Sequence, residues 1–468
     1  MKPRLAPFAL LAVLAALLAG CGGGGGSATG GDSAAGIVPA SAAIFVSIDT
    51  NLRSTQVKRL DAALKKFPIR DRLLSELRKS ITSGGTDLNG LIKWGGPQVD
   101  VVVLDAQRGT AVGLTKPKDE KMFERALSSG DTKLVYQRMH GWTAFSDDKA
   151  ALDEVKHADE KLGDDETFTN ATANLPDDAL AKAYVAGPAV KQSVASLGTG
   201  ATTSLTGQRP RWLSAAALAH DNGVELQLYV NGKGVAGGPN FKASLADDVP
   251  AGVLAALSFN DLGGGLKSLQ SSGVPGVPQL EQALGVRMSE IGEVLSGEGI
   301  VYVRAGNPIP EVTLVTRQSD EEHAKRTVGA VLRKLAPNAK TSPAEVDGVK
   351  LTAVDFGPVS IFYGTFDGKL IVTDFDNAVR DLRGGGKKLS DDKTFKDATG
   401  AVGLPAETNG WLYVDLKDTV PVVDALAELA GARIPAVVDD NLQPLRSFVA
   451  YGSRDRDTET LKLFLQTS

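Results

Sequence analysis

Apolar positions along the chain fall into three regimes. Pro7–Leu18 is an unbroken apolar run, and Gly22–Gly36 is mostly glycine, serine and alanine with one acid. From Val38 onward, runs of period two interleave with stretches of period near 3.6. Ala43–Ile48 reads as a strand, followed by a helix with Val57, Leu60, Leu64 and Phe67 on one face. Phe67-Pro68 is expected to end that helix, because proline cannot continue the hydrogen-bond ladder. Leu73, Leu77 and Ile81 predict a second helix, stopped by Gly84-Gly85. Val99–Leu104 with Thr110–Thr115, and Lys133–Met139 with Trp142–Ser146 around His140-Gly141, read as hairpins. Trp212–His220 and Glu225–Val230 flank Asp221-Asn222-Gly223, where Asn-Gly favours a type I′ turn. The expected class is α+β, mainly antiparallel sheet with helices covering one face.

The pattern then repeats. Val38-Pro39-Ala40 before Phe45-Val46-Ser47-Ile48-Asp49 recurs as Val249-Pro250-Ala251 before Ala256-Leu257-Ser258-Phe259-Asn260. Val101-Val102-Val103-Leu104 recurs as Ile300-Val301-Tyr302-Val303. Each copy enters a helix, through Pro117-Lys118-Asp119-Glu120 or through Ser319-Asp320-Glu321-Glu322, the latter with capping-box spacing from Ser319 to Glu322. Lys133–Phe168 matches Ser360–Phe395 without a gap, pairing Gly141 with Gly368, Ala151 with Ala378 and Asp165 with Asp392. Two homologous halves are therefore expected, 37–235 and 246–468, joined by the glycine-rich Asn231–Asn240.

Lys2 and Arg4 precede the apolar run, and small residues close it at Leu18-Ala19-Gly20-Cys21. The run is too short for a stable transmembrane helix, and its flanks are those of a secretory signal peptide. Leu18-Ala19-Gly20-Cys21 resembles the lipobox of bacterial lipoproteins. The resemblance implies cleavage before Cys21, acylation of its thiol and new amino terminus, and attachment to the outer face of the cytoplasmic membrane. Gly22–Gly36 would then be a flexible tether reaching roughly 20 Å. Cys21 is the only cysteine, so the chain forms no internal disulfide and must rely on its core. A net charge of −5 gives no counterion-release drive toward nucleic acid.

No nucleophile elbow, phosphate-binding glycine loop, zinc-protease helix or calcium loop is present. His140, His157, His220 and His323 are not spaced as metal ligands, and three of them face non-histidines in the repeat. The acid pairs Asp147-Asp148, Asp164-Asp165, Asp177-Asp178, Asp247-Asp248, Asp391-Asp392 and Asp439-Asp440 stand at turns or before helices, where Asp caps. Four strand-to-helix joints share this grammar, at Asp49, Asn260-Asp261, Gly187-Pro188 and Asp415, and capping is the expected role of their acids. Arg380–Lys388 is a basic glycine-rich loop whose repeat partner, Asp153–Lys161, lacks glycine and is acidic on balance, which argues against a phosphate site. Neither a metal nor a cofactor is expected, and no catalytic residue emerges.

Val38-Pro39-Ala40, the strand ending Ile48-Asp49, Leu64-Lys65-Lys66-Phe67-Pro68 and Trp94-Gly95-Gly96-Pro97 resemble an uncharacterised bacterial envelope family, domain of unknown function 3352, common in actinobacteria. The likeness is strongest over the first half and carries no catalytic residues. The expected function is a non-enzymatic, membrane-tethered binding protein of the cell envelope, its partner a protein, a cell-wall component or a lipid. A carrier of lipid or another hydrophobic ligand is the alternative, and would need an enclosed apolar pocket of about 300–1,000 Å³. Lipid-shuttling mycobacterial lipoproteins are similar in their tethered α+β bodies, but none of their motifs recurs here. A hydrolase with an unfamiliar site ranks third.

Overall fold

The computed structural model describes residues 33–468 apart from 73–74, 76–89, 91–92, 130–133, 191–208, 234–237, 265–280, 283 and 307–308. Cys21 and the expected helix at Leu73, Leu77 and Ile81 lie outside the described residues, as does part of Asn231–Asn240. By contacts the described chain divides into two compact units, 33–190 with 209–233 and 467–468, and 238–466.

In the first unit eight strands form one antiparallel sheet. They are β1 (Ile44–Asp49), β2 (Gln98–Asp105), β3 (Thr110–Thr115), β4 (Val135–Met139), β5 (Trp142–Ser146), β6 (Ala181–Ala186), β7 (Arg209–His220) and β8 (Gly223–Lys233). Their order is β4-β5-β3-β2-β1-β6-β7-β8, with the first strand in the middle. One face carries Phe45, Val102, Leu114, Ala144, Tyr184 and Trp212. Helices α3 (Lys149–Lys156) and α4 (Glu166–Thr172) close over it with Ala151, Leu152, Val155 and Ala171. Phe168 of α4 meets Phe45 and Tyr184 edge-on. The reverse face is covered as well. Val57 and Leu60 of α1 (Thr55–Leu64) pack on Leu180, Ala219 and Val224. Phe123 of α2 (Glu120–Ser128) meets Phe145 edge-on.

In the second unit β9 (Val253–Asn260), β10 (Glu298–Arg304), β11 (Glu311–Arg317), β14 (Ser360–Phe366), β15 (Lys369–Thr373), β16 (Gly410–Asp415) and β17 (Leu445–Asp455) run in the order β14-β15-β11-β10-β9-β16-β17. The hairpin of β12 (Thr341–Val346) and β13 (Val349–Asp355) extends the β14 edge, and β18 (Thr458–Thr467) follows β17. Ile300, Val315, Ile371 and Tyr413 form the core face under α7 (Ala378–Arg383) and α8 (Lys393–Ala401). On the reverse face, Val294 of α5 (Met288–Val294) and Ala324 of α6 (Glu321–Leu335) pack on Leu370. Two further helices, α9 (Leu416–Leu429) and α10 (Ala436–Leu442), bury none of their residues.

The expectation of helices on one face is thus corrected. β1 buries Phe45, Val46 and Ile48 together, so both sides of the strand are apolar and both need cover. α1 ends at Leu64, three residues before Phe67, where Phe67 N–H closes a turn on the Leu64 carbonyl. The β7–β8 turn is Asp221-Asn222, one residue earlier than expected, because Gly223 already pairs with His220. His140-Gly141 and Asp367-Gly368 are type I′ turns with φ of 49° and 80°, and 49° and 72°. Asp320, not Ser319, caps α6, its carboxylate accepting from His323 N–H at 2.9 Å.

Two further corrections concern register and the tether. Val101 stands opposite Val46, and Val301 opposite Leu257, so β10 matches β2 one residue later than the sequence comparison placed it. The expected tether also ends sooner. Ala34–Gly36 form a 3-10 turn with Ala34 and Ala35 fully packed, capped by Ser33.

Candidate functional site

The acids singled out in the sequence mostly serve backbone. Asp119, Asp148, Asp165, Asp392 and Asp415 each accept from an N–H in the first turn of their helix. Asp49 does not cap: it accepts from Asn51 N–H, and the α1 cap is Ser54. Asp261 accepts from Gly264 N–H at 2.9 Å. Asp248 pairs with Lys369, and Asp178 takes a hydrogen bond from Gln56. The histidines are dispersed: His140 is a turn residue, His157 bonds the Asp153 carbonyl, His220 pairs with Glu225 and His323 with Glu293. Among the described residues no three His, Cys, Asp or Glu side chains gather as metal ligands. In the basic loop, Lys388 donates to the carbonyls of Asp248, Asp381 and Leu382 at 3.0–3.1 Å, so its charge is spent on helix ends.

Two carboxylates the sequence reading passed over, one buried and one half-buried, hold the entry to each sheet. Asp100 on β2 is fully buried, accepting from Gln98 Nε2 at 2.8 and 3.0 Å and from Ala34 N–H at 3.3 Å. Burial pushes its carboxyl up to about 6, against the opposing pull of those bonds, of Ser47 and of Lys116. Glu298 on β10 does the same work in the second unit. It accepts from Leu245 N–H at 2.6 Å, from Ser244 Oγ at 2.7 Å and from Arg317 Nε at 2.9 Å. Lys182, on β6 opposite Ser47, is 6 % exposed; its ammonium has no hydrogen bond among the described residues and lies 3.8 Å from Asp177. Burial lowers its pKa. In the second unit the corresponding row is Ile300, Ser258 and Trp411, all buried without charge.

One site with room for a ligand is a corner of the sheet. In the first unit a cleft of about 490 Å³ opens where β2 ends, β3 begins and α3 starts. Asp105, Arg108, Asp148 and Glu154 line it above a floor that includes Ala43 and Ala151. Asp105 pairs with Arg108 at 3.1 Å, and N–H groups of Arg108 and Gln107 hold its carboxyl below the usual range.

The second unit brings charge to the same corner. Arg304 at the end of β10 stands opposite Glu311 at the start of β11, and pairs with Asp381 of α7. Asp381 and Glu154 each lie three residues after a buried alanine, Ala378 and Ala151. Asp374 accepts from Val312 N–H at 2.8 Å. The hydroxyl of Tyr302, a residue 2 % exposed, has the Thr313 side chain beside it, whereas Glu311 Oε2 is buried with no hydrogen-bond partner among the described residues. A buried polar atom left so costs about 1–3 kcal/mol. Burial first, then Asp374 and Asp381, raise the Glu311 pKa against the pull of Arg304. The Tyr302 hydroxyl is pushed up to about 12, mainly by burial. The sequence showed none of this, since Arg304 and Glu311 stand seven positions apart and only the hairpin register sets them opposite.

By its architecture the chain is an α+β protein of antiparallel sheets with helices packed on both faces. It belongs to the family described as protein of unknown function (DUF3352), which matches residues 148–467. That span leaves out the Val38, Ile48, Leu64 and Trp94 motifs, so the likeness lies mainly in the second half rather than the first. Curated proteins give no match. Among solved structures, crystal forms IV and III of TP0453 are similar at 14% and 10% identity with TM-scores of 0.27 and 0.26. They cover 49% and 47% of this chain and 81% and 92% of their own.

Proposed function

We propose that this protein is a non-enzymatic binding lipoprotein of the cell envelope, exported and tethered to the outer face of the cytoplasmic membrane through acylated Cys21, with its body built from two homologous units. The observation that carries the binding role is the recurrence of one charged corner, three carboxylates and an arginine, at the same strand ends of both sheets. Shared strand order supports the duplication, with β12–β13 as an insertion. The anchor is tested by Cys21→Ser in the native host. Release of the protein from membranes, with loss of the acyl adduct by mass spectrometry, is the expected outcome; unchanged membrane fractionation refutes it.

A second reading, carriage of a hydrophobic ligand, draws on the reverse face of the second sheet. Leu412, Leu257, Val301 and Leu314 form one cross-strand apolar row, with Val303 and Val312 beside it. Leu257 and Val312 are 42% and 43% exposed. Lipid co-purifying with the protein from its own membranes would favour this reading.

A further inference from the structure

The two charged corners differ in one respect, which gives the open cleft of the first unit a chemical demand. β1 and β9 hold the same register against β2 and β10: Ile44 stands opposite Val103, and Ala255 opposite Val303. The next residue along is Leu104 in the first unit and Arg304 in the second. Arg304 supplies a guanidinium to Asp381. Glu154, at the place of Asp381, has no such neighbour. Its carboxylate forms no ion pair or hydrogen bond among the described residues, and it lines the cleft of about 490 Å³. The other two acids there are engaged. Asp105 accepts from Arg108 Nε and from the Gln107 and Arg108 N–H groups, and Asp148 accepts from Ala150 N–H at 2.8 Å. Three carboxylates against one guanidinium make the lining hostile to an anion. Ala43, Ala151, Ala186 and Ala189 give it a methyl-lined surface that suits an aliphatic stem. The side chains of Ser41, Gln107 and Thr110 make no hydrogen bond among the described residues and can meet peptide amides. The volume exceeds that of one side chain and admits its flanking backbone.

We propose that this cleft binds an arginine side chain on an extended peptide segment of a partner protein, its guanidinium donating to the Glu154 carboxylate as Arg304 donates to Asp381. The proposal rests on the reading of the chain as a binding protein of two homologous units, and adds the class of partner. A neutral side chain would fill the volume but leave Glu154 without its counter-charge.

The test is a titration of the full-length chain in detergent with acetyl-Ala-Arg-Ala-amide, read by ligand-observed NMR. The isosteric, uncharged citrulline peptide and n-butylguanidinium are the comparisons. Saturable binding of the arginine peptide is expected, weakened about five- to tenfold by the change to citrulline and equally by Glu154→Gln. Ala43→Leu, which narrows the cleft, should weaken it several-fold, and n-butylguanidinium should bind less tightly than the peptide. Failure of the wild-type chain to bind would overturn the proposal, as would equal binding of either comparison compound or full affinity in Glu154→Gln. Glu154 is exposed, so Glu154→Gln should leave the urea midpoint unchanged. If Ala43→Leu does not fold, Glu154→Gln decides alone. Loss of peptide binding leaves the Cys21→Ser fractionation result untouched, so the two readings fail separately.

Discussion

Replacing Asp100 by asparagine removes a charge from the middle of a sheet while keeping its shape. The carboxyl has no exposed surface, and its pKa stands at about 6 against an ordinary value of 3.8. A raised carboxyl binds its proton more tightly in the folded state than in the unfolded one. Its contribution to stability is therefore complete below pH 3.8 and is lost as pH rises through about 6. At about 1.4 kcal/mol per pH unit, the ionised side chain costs roughly 3 kcal/mol at neutral pH. The introduced amide would keep an acceptor for Ala34 N–H, and the Gln98 amide can turn to meet its donor. Asp100→Asn should therefore stabilise the first unit by about 1–3 kcal/mol at pH 7.5 and by close to nothing at pH 4. Urea unfolding followed by tryptophan fluorescence at both pH values measures it; Trp142 and Trp212 report from this unit. An equal effect at the two pH values, or a loss above about 1 kcal/mol at pH 7.5, would refute the reasoning.

Three further outcomes are expected. Gly113→Ala should destabilise by about 1–3 kcal/mol in thermal or urea unfolding, since an added Cβ would stand 2.3 Å from the Phe145 ring. Glu298→Ala should cost about 3 kcal/mol and expose the 3-10 turn at Ser244–Asp247 to amide exchange, because three donors lose one acceptor. Lys182→Met should be neutral or stabilising near pH 7, as burial already disfavours the ammonium and the second unit has Trp411 at this place. A loss of more than about 2 kcal/mol on that change would show the lysine to be structurally required.

What could be read from the sequence was whatever depends on neighbours along the chain. His140-Gly141 and Asp367-Gly368 announce their turns because positive φ is a local demand that glycine meets. Asp347-Gly348, with φ of 48° and 78°, carries the same signal for the β12–β13 hairpin, which the strand reading missed because Pro343 sits in an exposed edge strand. Helix caps were legible as a class, but Ser319 and Asp320 are both capable, and only the backbone geometry at Asp320 chose between them. Burial of Asp100 and Lys182 was not legible, since polar residues in a period-two run read as the solvent face. The charged corners were illegible for a related reason. Their members come from separate strands and a helix, and sheet register alone assembles them.

The strand that leaves the N-terminal turn is β1, and it lies between β2 and β6 rather than at an edge. A pull on the amino end therefore meets the Ala34–Asp100 bond first, and then loads two antiparallel ladders lengthwise, six residue pairs on one side and five on the other. Hydrogen bonds strained in parallel must fail together, whereas an edge strand peels one bond at a time. If the body is tethered by its N-terminus as proposed, tension should open a loop or the far edge before it unseats the first strand.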